Sequence, residues 1–454
     1  MKNQSALPKI IYLILPLVVA LGLLSAMHAQ IIRAVPNAPG DLDTSFGVNG
    51  VVIEDVGGFD VGRGLALRSD NKIWVIADSF NGSFTAVQSY LLLYNSDGTL
   101  NTAFGTNGVA SITPINPAAR DGVLEIALQP DGKVVVAGSV DTNGNKDFAV
   151  FRFTAEGLLD SSFGVGGVIT TPVSASDYDE AAGLVIQSDG KIVAAGNVGI
   201  NDFALVRYEK DGSLDTAFGV GGIVTTDFPI GVSSGEDRAY DVIEQFDGKI
   251  VAVGYSSGRF GVARYTASGA LDSSFGNSGI ISTVVGSDPF LAANAVAQQA
   301  DGKLLVSGTG YNDVDGHYAW TLVRYNSDGS LDTDFGTDGI IKTDFGGNST
   351  SNYMQLLPNG KIVLVGDGND GSNGLGVSIV QYNQDGSLDT SFGTGGVVHT
   401  SSGTRATRVI VQPDGQLLVL GYATTSTAPE DIFLARYEGI NFGNKIYLPF
   451  VVKP

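Results

Sequence analysis

The sequence predicts an all-β chain closed into a ring, a seven-bladed β-propeller with four antiparallel strands per blade. Three observations carry this. The hexapeptide Leu42-Asp43-Thr44-Ser45-Phe46-Gly47 returns with its Phe at Phe104, Phe163, Phe218, Phe275, Phe335 and Phe392, at steps of 55 to 60 residues. One supersecondary unit is therefore used seven times. Each copy leads into Gly-Val or Gly-Ile, and four carry a full Asp-Gly-Lys turn and four an Arg-Tyr strand ending, as in Gly222-Ile223, Asp247-Gly248-Lys249 and Arg264-Tyr265, with looser forms such as Asp70-Asn71-Lys72, Asp414-Gly415-Gln416, Leu93-Tyr94 and Gln381-Tyr382 in the rest. Short Val/Ile/Tyr/Phe runs broken by Asp-Gly signal strands and tight hairpins, and helical periodicity is scarce.

Residues 1–30 read as a signal peptide or N-terminal anchor. Lys2 and Lys9 precede the uncharged apolar run Ile10 to Ala26, the pattern of an export signal. Ala26-Met27-His28-Ala29 is an untidy cleavage site, so both readings stay open. Residues 31–40, with Pro36 and Pro39, form a linker. Residues 41–439 hold the repeats. In the third copy, Gly167 to Thr171 is a strand, Leu184 to Gln187 and Lys191 to Gly196 flank an Asp-Gly hairpin, and Phe203 to Tyr208 runs into the turn Lys210-Asp211-Gly212. Such a unit cannot bury both faces alone, and seven stacked around an axis can.

The repeats begin in mid-unit. The strand at about Gly50 to Glu54 is left to complete the last blade, whose other three strands come from about Arg405 to Tyr437. This removes an exposed edge. The Asp-Gly-Lys and Asn-Ser-Asp-Gly turns fall on one face of the disc. The irregular loops at Asp141 to Lys146, Phe228 to Arg238, Tyr311 to Tyr318, Asp367 to Gly374 and Ala423 to Asp431 fall on the other, where a localised function is expected. Residues 440–454 are an apolar tail, too short to span a bilayer. It either docks on the ring edge or serves as a surface-sorting signal.

The unit, best matched at Gln129 to Gly138 and Asp385 to Gly393, resembles the delta-60 repeat of exported bacterial proteins. The resemblance covers about residues 41–439. It implies a propeller outside the cytoplasm, secreted or at the cell surface, and carries over no catalytic residue.

Composition narrows the chemistry. The formal charge of −21 disfavours nucleic acid and anionic lipid as partners. With no Cys, disulfides, Cys nucleophiles and thiolate metal sites are excluded. Beyond residue 30 only His317 and His399 remain, so a three-His metal centre is excluded too. No catalytic residue, no metal ligand set and no cofactor is assigned. Calcium is considered at Asn326 to Asp334, but the twelfth-position Glu of an EF-hand loop is missing and the turn reading prevails. The repeated Asp is expected to cap backbone N–H groups or pair with a strand Arg. The repeated Arg is expected to be packed between blades and paired.

The loop from Tyr311 to Trp320 supplies the candidate ligand-binding residues: Asp313, Asp315, His317, Tyr318 and Trp320. Aromatic and acidic groups on an exposed loop can grip a sugar or a cation; against this, Trp320 reads as the start of the next strand. The expected role is a binding or scaffold module with a glycan or surface protein as partner, touching membrane only through an uncleaved N-terminal segment. The rival is a carbohydrate-active hydrolase using carboxylates on the variable-loop face, and a third reading is a purely structural surface-layer or adhesion component.

Overall fold

The Asp-Gly turns and short apolar runs resolve into seven four-stranded antiparallel sheets, each running in chain order from an inner to an outer strand, with one exception. The computed structural model describes residues 38–82, 87–112, 122–141, 144–175, 178–199, 201–229, 235–369, 375–424 and 430–439. The chain divides at Ala38/Pro39, and all seven sheets belong to the unit that begins at Pro39. Residues 1–37 and 440–454, where the expected signal peptide or anchor, most of the linker and the apolar tail fall, lie outside the described residues. Among the described residues no helix is long and apolar enough to cross a membrane.

Blades 1 to 6 span residues 59–112, 122–171, 179–226, 237–283, 292–343 and 350–400. Blade 7 is the exception. Its first three strands run from Arg405 to Tyr437, and its outer strand is Val51–Glu54, in register as Val51 with Ala435 and Glu54 with Ile432. The N-terminal strand closes the last blade, as the repeat phase requires. The closure extends into a turn built from both ends of the ring. Within blade 1 the corresponding turn is continuous, with Asn95 N–H donating to Thr99 O and Gly98 N–H to Asn95 O. In blade 7 the same two bonds join Glu438 N–H to Asp41 O (2.8 Å) and Gly40 N–H to Glu438 O (2.7 Å).

Apolar side chains of adjacent blades fill the space between them. Leu65, Ile73 and Val75 of blade 1, for example, meet Leu418, Leu420, Ile432 and Leu434 of blade 7 across the closure. The hexapeptide Phe is buried in all seven copies, each contributing roughly 1.5–3 kcal/mol. The Gly after it has φ between 50° and 58° throughout, and a Cβ at Gly105 would stand 2.2 Å from Val109 O. Only Gly tolerates that turn.

A second repeated device ties blade to blade. In blade 4, Asp272 Oδ1 accepts the Ser274 N–H, while Oδ2 accepts Arg264 Nε at 2.8 Å and Lys249 Nζ at 3.1 Å. The Arg264 guanidinium lies 4.2 Å from the Phe275 ring centre and donates through Nη1 to Ser327 O in the next blade's turn. The Gly276 N–H reaches the neighbouring Asp328 O. The same clasp recurs at Arg152–Asp160, Arg207–Asp215, Arg324–Asp332 and, across the closure, Arg436–Asp43, where Arg436 Nη1 donates to Ser96 O of blade 1. Blade 6 keeps the Asp with Gln381 in place of Arg. Blade 1 has Leu93 and Asn101 instead, and Arg68 supplies the missing donor to Ala155 O of blade 2. The repeated Asp and Arg are thus paired and buried between blades.

A third device is a buried hydroxyl pair. The strand-ending Tyr of one blade bonds a Thr on the outer strand of the blade before it: Tyr208 with Thr171, Tyr265 with Thr226, Tyr325 with Thr283, Tyr382 with Thr343 and Tyr437 with Thr400. Blades 1 and 2 replace the pair by Ile112 and Phe153, losing both polar groups together. At the closure only one partner changes. Glu54 occupies the Thr position beneath Tyr94, whose buried hydroxyl has no hydrogen-bond partner among the described residues. Burial and then the Glu54 charge push the Tyr94 phenol up.

Glu54→Thr is expected to restore the pair and raise the unfolding free energy by about 1 kcal/mol, whereas Thr226→Val strands the Tyr265 hydroxyl and lowers it by a similar amount. Urea titrations of the two variants against the parent measure both.

Candidate functional site

On the irregular face, the hairpin of blade 5 positions four of the five candidate residues. Strands Leu304–Asn312 and His317–Tyr325 pair to their ends, Asn312 opposite His317, so only residues 313–316 form the turn. Gly316 N–H closes it onto Asn312 O. Asp313 Oδ1 accepts the Ser287 N–H and hydroxyl, and these bonds hold its carboxyl below the usual range. Asn312 Nδ2 donates to Asp315 Oδ2 at 2.7 Å and to Asp344 Oδ2 at 2.8 Å. His317 Nε2 lies 2.6 Å from Asp344 Oδ1. That bond raises the imidazole above its ordinary value. Tyr318 stands edge-on to Tyr311 with centres 5.6 Å apart, and its hydroxyl donates to Asp288 Oδ1 at 3.1 Å. These contacts tie segment 287–290 to the hairpin. Phe290 (73 % exposed) and Val314 (91 % exposed) present apolar surface among the acidic groups.

Trp320 is a correction. It is fully buried, its indole N–H donates to Asp367 O at 3.0 Å, and its ring meets Phe345 at 5.1 Å. It belongs to the seam between blades 5 and 6 and is withheld from any ligand at the loop. His399, on the outer strand of blade 6, shares a hydrogen bond with Ser378. Ser378 is fully buried, so the two cannot act as a nucleophile and base on an incoming substrate.

The axis carries residues that no local motif marks. Every inner strand has a bulge at the same place, between Gly62/Gly64, Val123/Glu125, Ala181/Gly183, Ala239/Asp241, Ala293/Ala295, Ser351/Tyr353 and Ala406/Arg408. A bulge re-aims its side chains. Asn294, Asn352 and Thr407 there donate to Ser351 O, Ala406 O and Gly62 O of the next blade, all at 2.7 Å. Arg408 passes blade 1, which has only Gly64 at that level, and reaches Glu125 Oε2 of blade 2 at 3.1 Å with Tyr353 under its guanidinium at 4.9 Å. Asp241 accepts the N–H groups of Val242 and Val296. The two axial carboxylates are both engaged, and neither is free to serve as acid or nucleophile.

A second acidic set lies where outer-to-inner links enter the sheets. Asp60, Asp179 and Asp237 are fully buried, and each caps its link through one oxygen: Val56 N–H, the Val173 and Ser174 N–H groups, and Phe228 N–H. Burial, then the charges of Asp227 and Asp202, push Asp237 up to about 6. Burial together with Asp55 and Asp431 raises Asp60. Asp55, Asp60 and Asp431 bring three carboxylate oxygens within 4.8 Å of one another.

Two families of carboxyl therefore act oppositely on stability. Burial disfavours ionised Asp160, Asp272 and Asp389, but hydrogen bonds from Ser162, Ser274 and Lys361 and the other clasp partners win, holding Asp389 at about 2 and the other two lower still. Their contribution is full above the unfolded value near 3.9 and is lost as pH falls through the folded values. Asp60, Asp179 and Asp237 are raised. Theirs is full below 3.9 and is lost as pH rises through the folded values. Stability is expected to peak at about pH 4–5, and Asp237→Asn to flatten the decline toward neutrality. Urea midpoints between pH 2 and 8 test both.

Comparison with known proteins agrees with this architecture. A family model described as a domain of unknown function (DUF5122) beta-propeller matches residues 68–104, 129–163, 187–218, 245–275, 299–335, 357–392 and 412–439. No curated protein matches. Similar solved structures include a protein of unknown function from Dyadobacter fermentans DSM 18053, at 12% identity over 86% of this chain and 98% of that one, with a TM-score of 0.46. Another is the polysaccharide lyase Uly1, at 11% identity over 90% and 95%, with a TM-score of 0.43. A third is the propeller domain of the Trilobed protease from Pyrococcus furiosus, described as having an open velcro topology, at 10% identity over 88% and 98%, with a TM-score of 0.40. At these scores none bears on activity. Seven matched repeats in seven blades place the chain in the DUF5122 β-propeller family.

Proposed function

We propose that this chain is an exported propeller acting as a binding or scaffold module at the cell surface or in the medium, and that it engages its partner through the irregular face at blades 4 and 5. The supporting observation is the patch around the blade 5 hairpin, where exposed Phe290 and Val314 lie among Asp288, Asp313, Asp315 and Asp344. Apolar surface beside carboxylates suits the face and hydroxyls of a sugar, or a basic-apolar strip on a surface protein. The opposite face repeats one clasp from blade to blade and offers little that is distinctive. The finer assignment, a neutral glycan, follows from the net charge, since an anionic polymer would be repelled.

The test is a glycan array on the full chain, alongside Phe290→Ala and Tyr318→Ala and an assay for released reducing sugar. Binding lost in both variants at unchanged thermal stability supports the patch. Binding that both variants retain moves the function elsewhere, and sugar release would show the hydrolase.

A further inference from the structure

We propose that Asp55, Asp60 and Asp431 form a site for a divalent, oxygen-seeking cation of calcium size, which fastens the two ends of the ring together. The three residues come from the end of the N-terminal strand, the start of the first inner strand and the start of the last blade's third strand. Their carboxylate oxygens lie within 4.8 Å of one another. With metal–oxygen distances of about 2.3–2.6 Å, two ligands on opposite sides of a calcium ion stand roughly 4.8 Å apart, so the cluster has the span of one coordination sphere.

The burial of these oxygens argues for a ligand. Asp60 is 0 % exposed and Asp431 5 % exposed. Asp60 Oδ2 accepts the Val56 N–H at 2.7 Å, and Asp55 Oδ1 accepts the Gly57 N–H at 2.8 Å. Asp431 Oδ1 is buried and accepts no hydrogen bond from any described residue, and the buried Asp60 carboxylate has only the Ser79 hydroxyl beside it in addition to the Val56 N–H. Arg63, on the same strand as Asp60, is paired with Asp78. Two buried carboxylates side by side with so few donors are unfavourable unless a cation or a proton joins them. Asp55 is exposed, so the cluster meets solvent at that residue. A sugar cannot reach Asp60 or Asp431 through their burial, so the cluster does not suit a glycosidase pair.

The ring supplies an internal control. At the junction of blades 3 and 4 the corresponding positions hold Asp227, Asp237 and Asp202. Among the described residues only the closure set converges to 4.8 Å. It sits where two strands about 370 residues apart must be held together in a chain without Cys, and closing so long a loop is where a cross-link constrains the unfolded chain most.

Calorimetric titration of the EDTA-treated full chain with calcium chloride, and its melting temperature with calcium against sodium chloride at equal ionic strength, test the site. One saturable site and a melting temperature raised by a few degrees are expected. Asp55→Asn, a change at an exposed residue, should leave the melting temperature in EDTA undiminished while weakening calcium binding by about tenfold or more. Asp237→Asn should leave the affinity unchanged. Because Asp60→Asn and Asp431→Asn remove buried groups, Asp55→Asn carries the weight of the test. Calcium silence in the parent, parental affinity in Asp55→Asn, or an equal loss in Asp237→Asn overturns the proposal.

Discussion

The clasp around the repeated Asp is the interaction on which the ring depends. A buried ion pair is stabilising only when geometry is favourable and every remaining donor and acceptor is answered. Here the Asp272 carboxylate is capped by the Ser274 N–H and shared by Arg264 and Lys249, and the guanidinium is covered by Phe275 and bonded to the next blade. The Lys reports the turn of its own blade, the Arg its third strand, and the carbonyl the position of the neighbour. One carboxylate therefore fixes the spacing of two sheets. The exceptions support this account. Where Leu93 replaces the Arg in blade 1, the carboxylate becomes Asn101 and a different Arg reaches the same carbonyl position in blade 2. The charge is dispensable once its partner is gone; the bridge to the next blade is kept.

How much of the fold was legible depends on the range of each interaction. The number of blades and the sharing of the last one are periodic facts, written seven times, and the structure repeats them in Val51 to Glu54 against Ile432 to Ala435. The pairing of Arg207 with Asp215 was legible because eight residues separate them. The Thr171–Tyr208 bond was not, although both residues recur in every suitable blade, because its partners lie on different sheets 37 residues apart. The axial contact of Arg408 with Glu125 depends on a bulge in each inner strand and on Gly64 between them. No spacing in the sequence announces it. Trp320 shows the opposite limit: it stands next to loop residues in the chain and shares a strand face with Tyr318, yet lies far enough along the strand to be covered by Phe345 and Asp367 of the next seam.

The closure is where the repeated devices are altered. The turn after the third strand is rebuilt from Glu438, Gly40 and Asp41, segments from opposite ends of the ring. The Thr of the hydroxyl pair becomes Glu54, and an exposed Asp55 follows it beside two buried carboxylates. Elsewhere a lost polar partner is matched by a second loss, as with Ile112 and Phe153. At the closure Glu54 adds a negative charge beside an acidic trio that recurs at the junction of blades 3 and 4 but among the described residues converges to 4.8 Å only here. Such a pattern is costly in an apoprotein and reasonable around a bound cation, since the charge count of a site sets its affinity.

The two faces reflect the same division of labour. The face that carries the clasp must repeat, because six of the seven turns receive an Arg of the preceding blade, and a change in one blade needs a change in its neighbour. The opposite face has no such obligation. Its second-to-third connections range from the short Ser257-Gly258 turn of blade 4 to the long paired hairpin of blade 5, with no change in strand register around the ring. Variation accumulates where packing permits it. The acidic hairpin of blade 5 stands on that face, held by Ser287, Asp288 and Asp344 from two adjoining links. Rigid support from a neighbouring link is what a recognition loop needs to present its side chains without a large ordering penalty on binding.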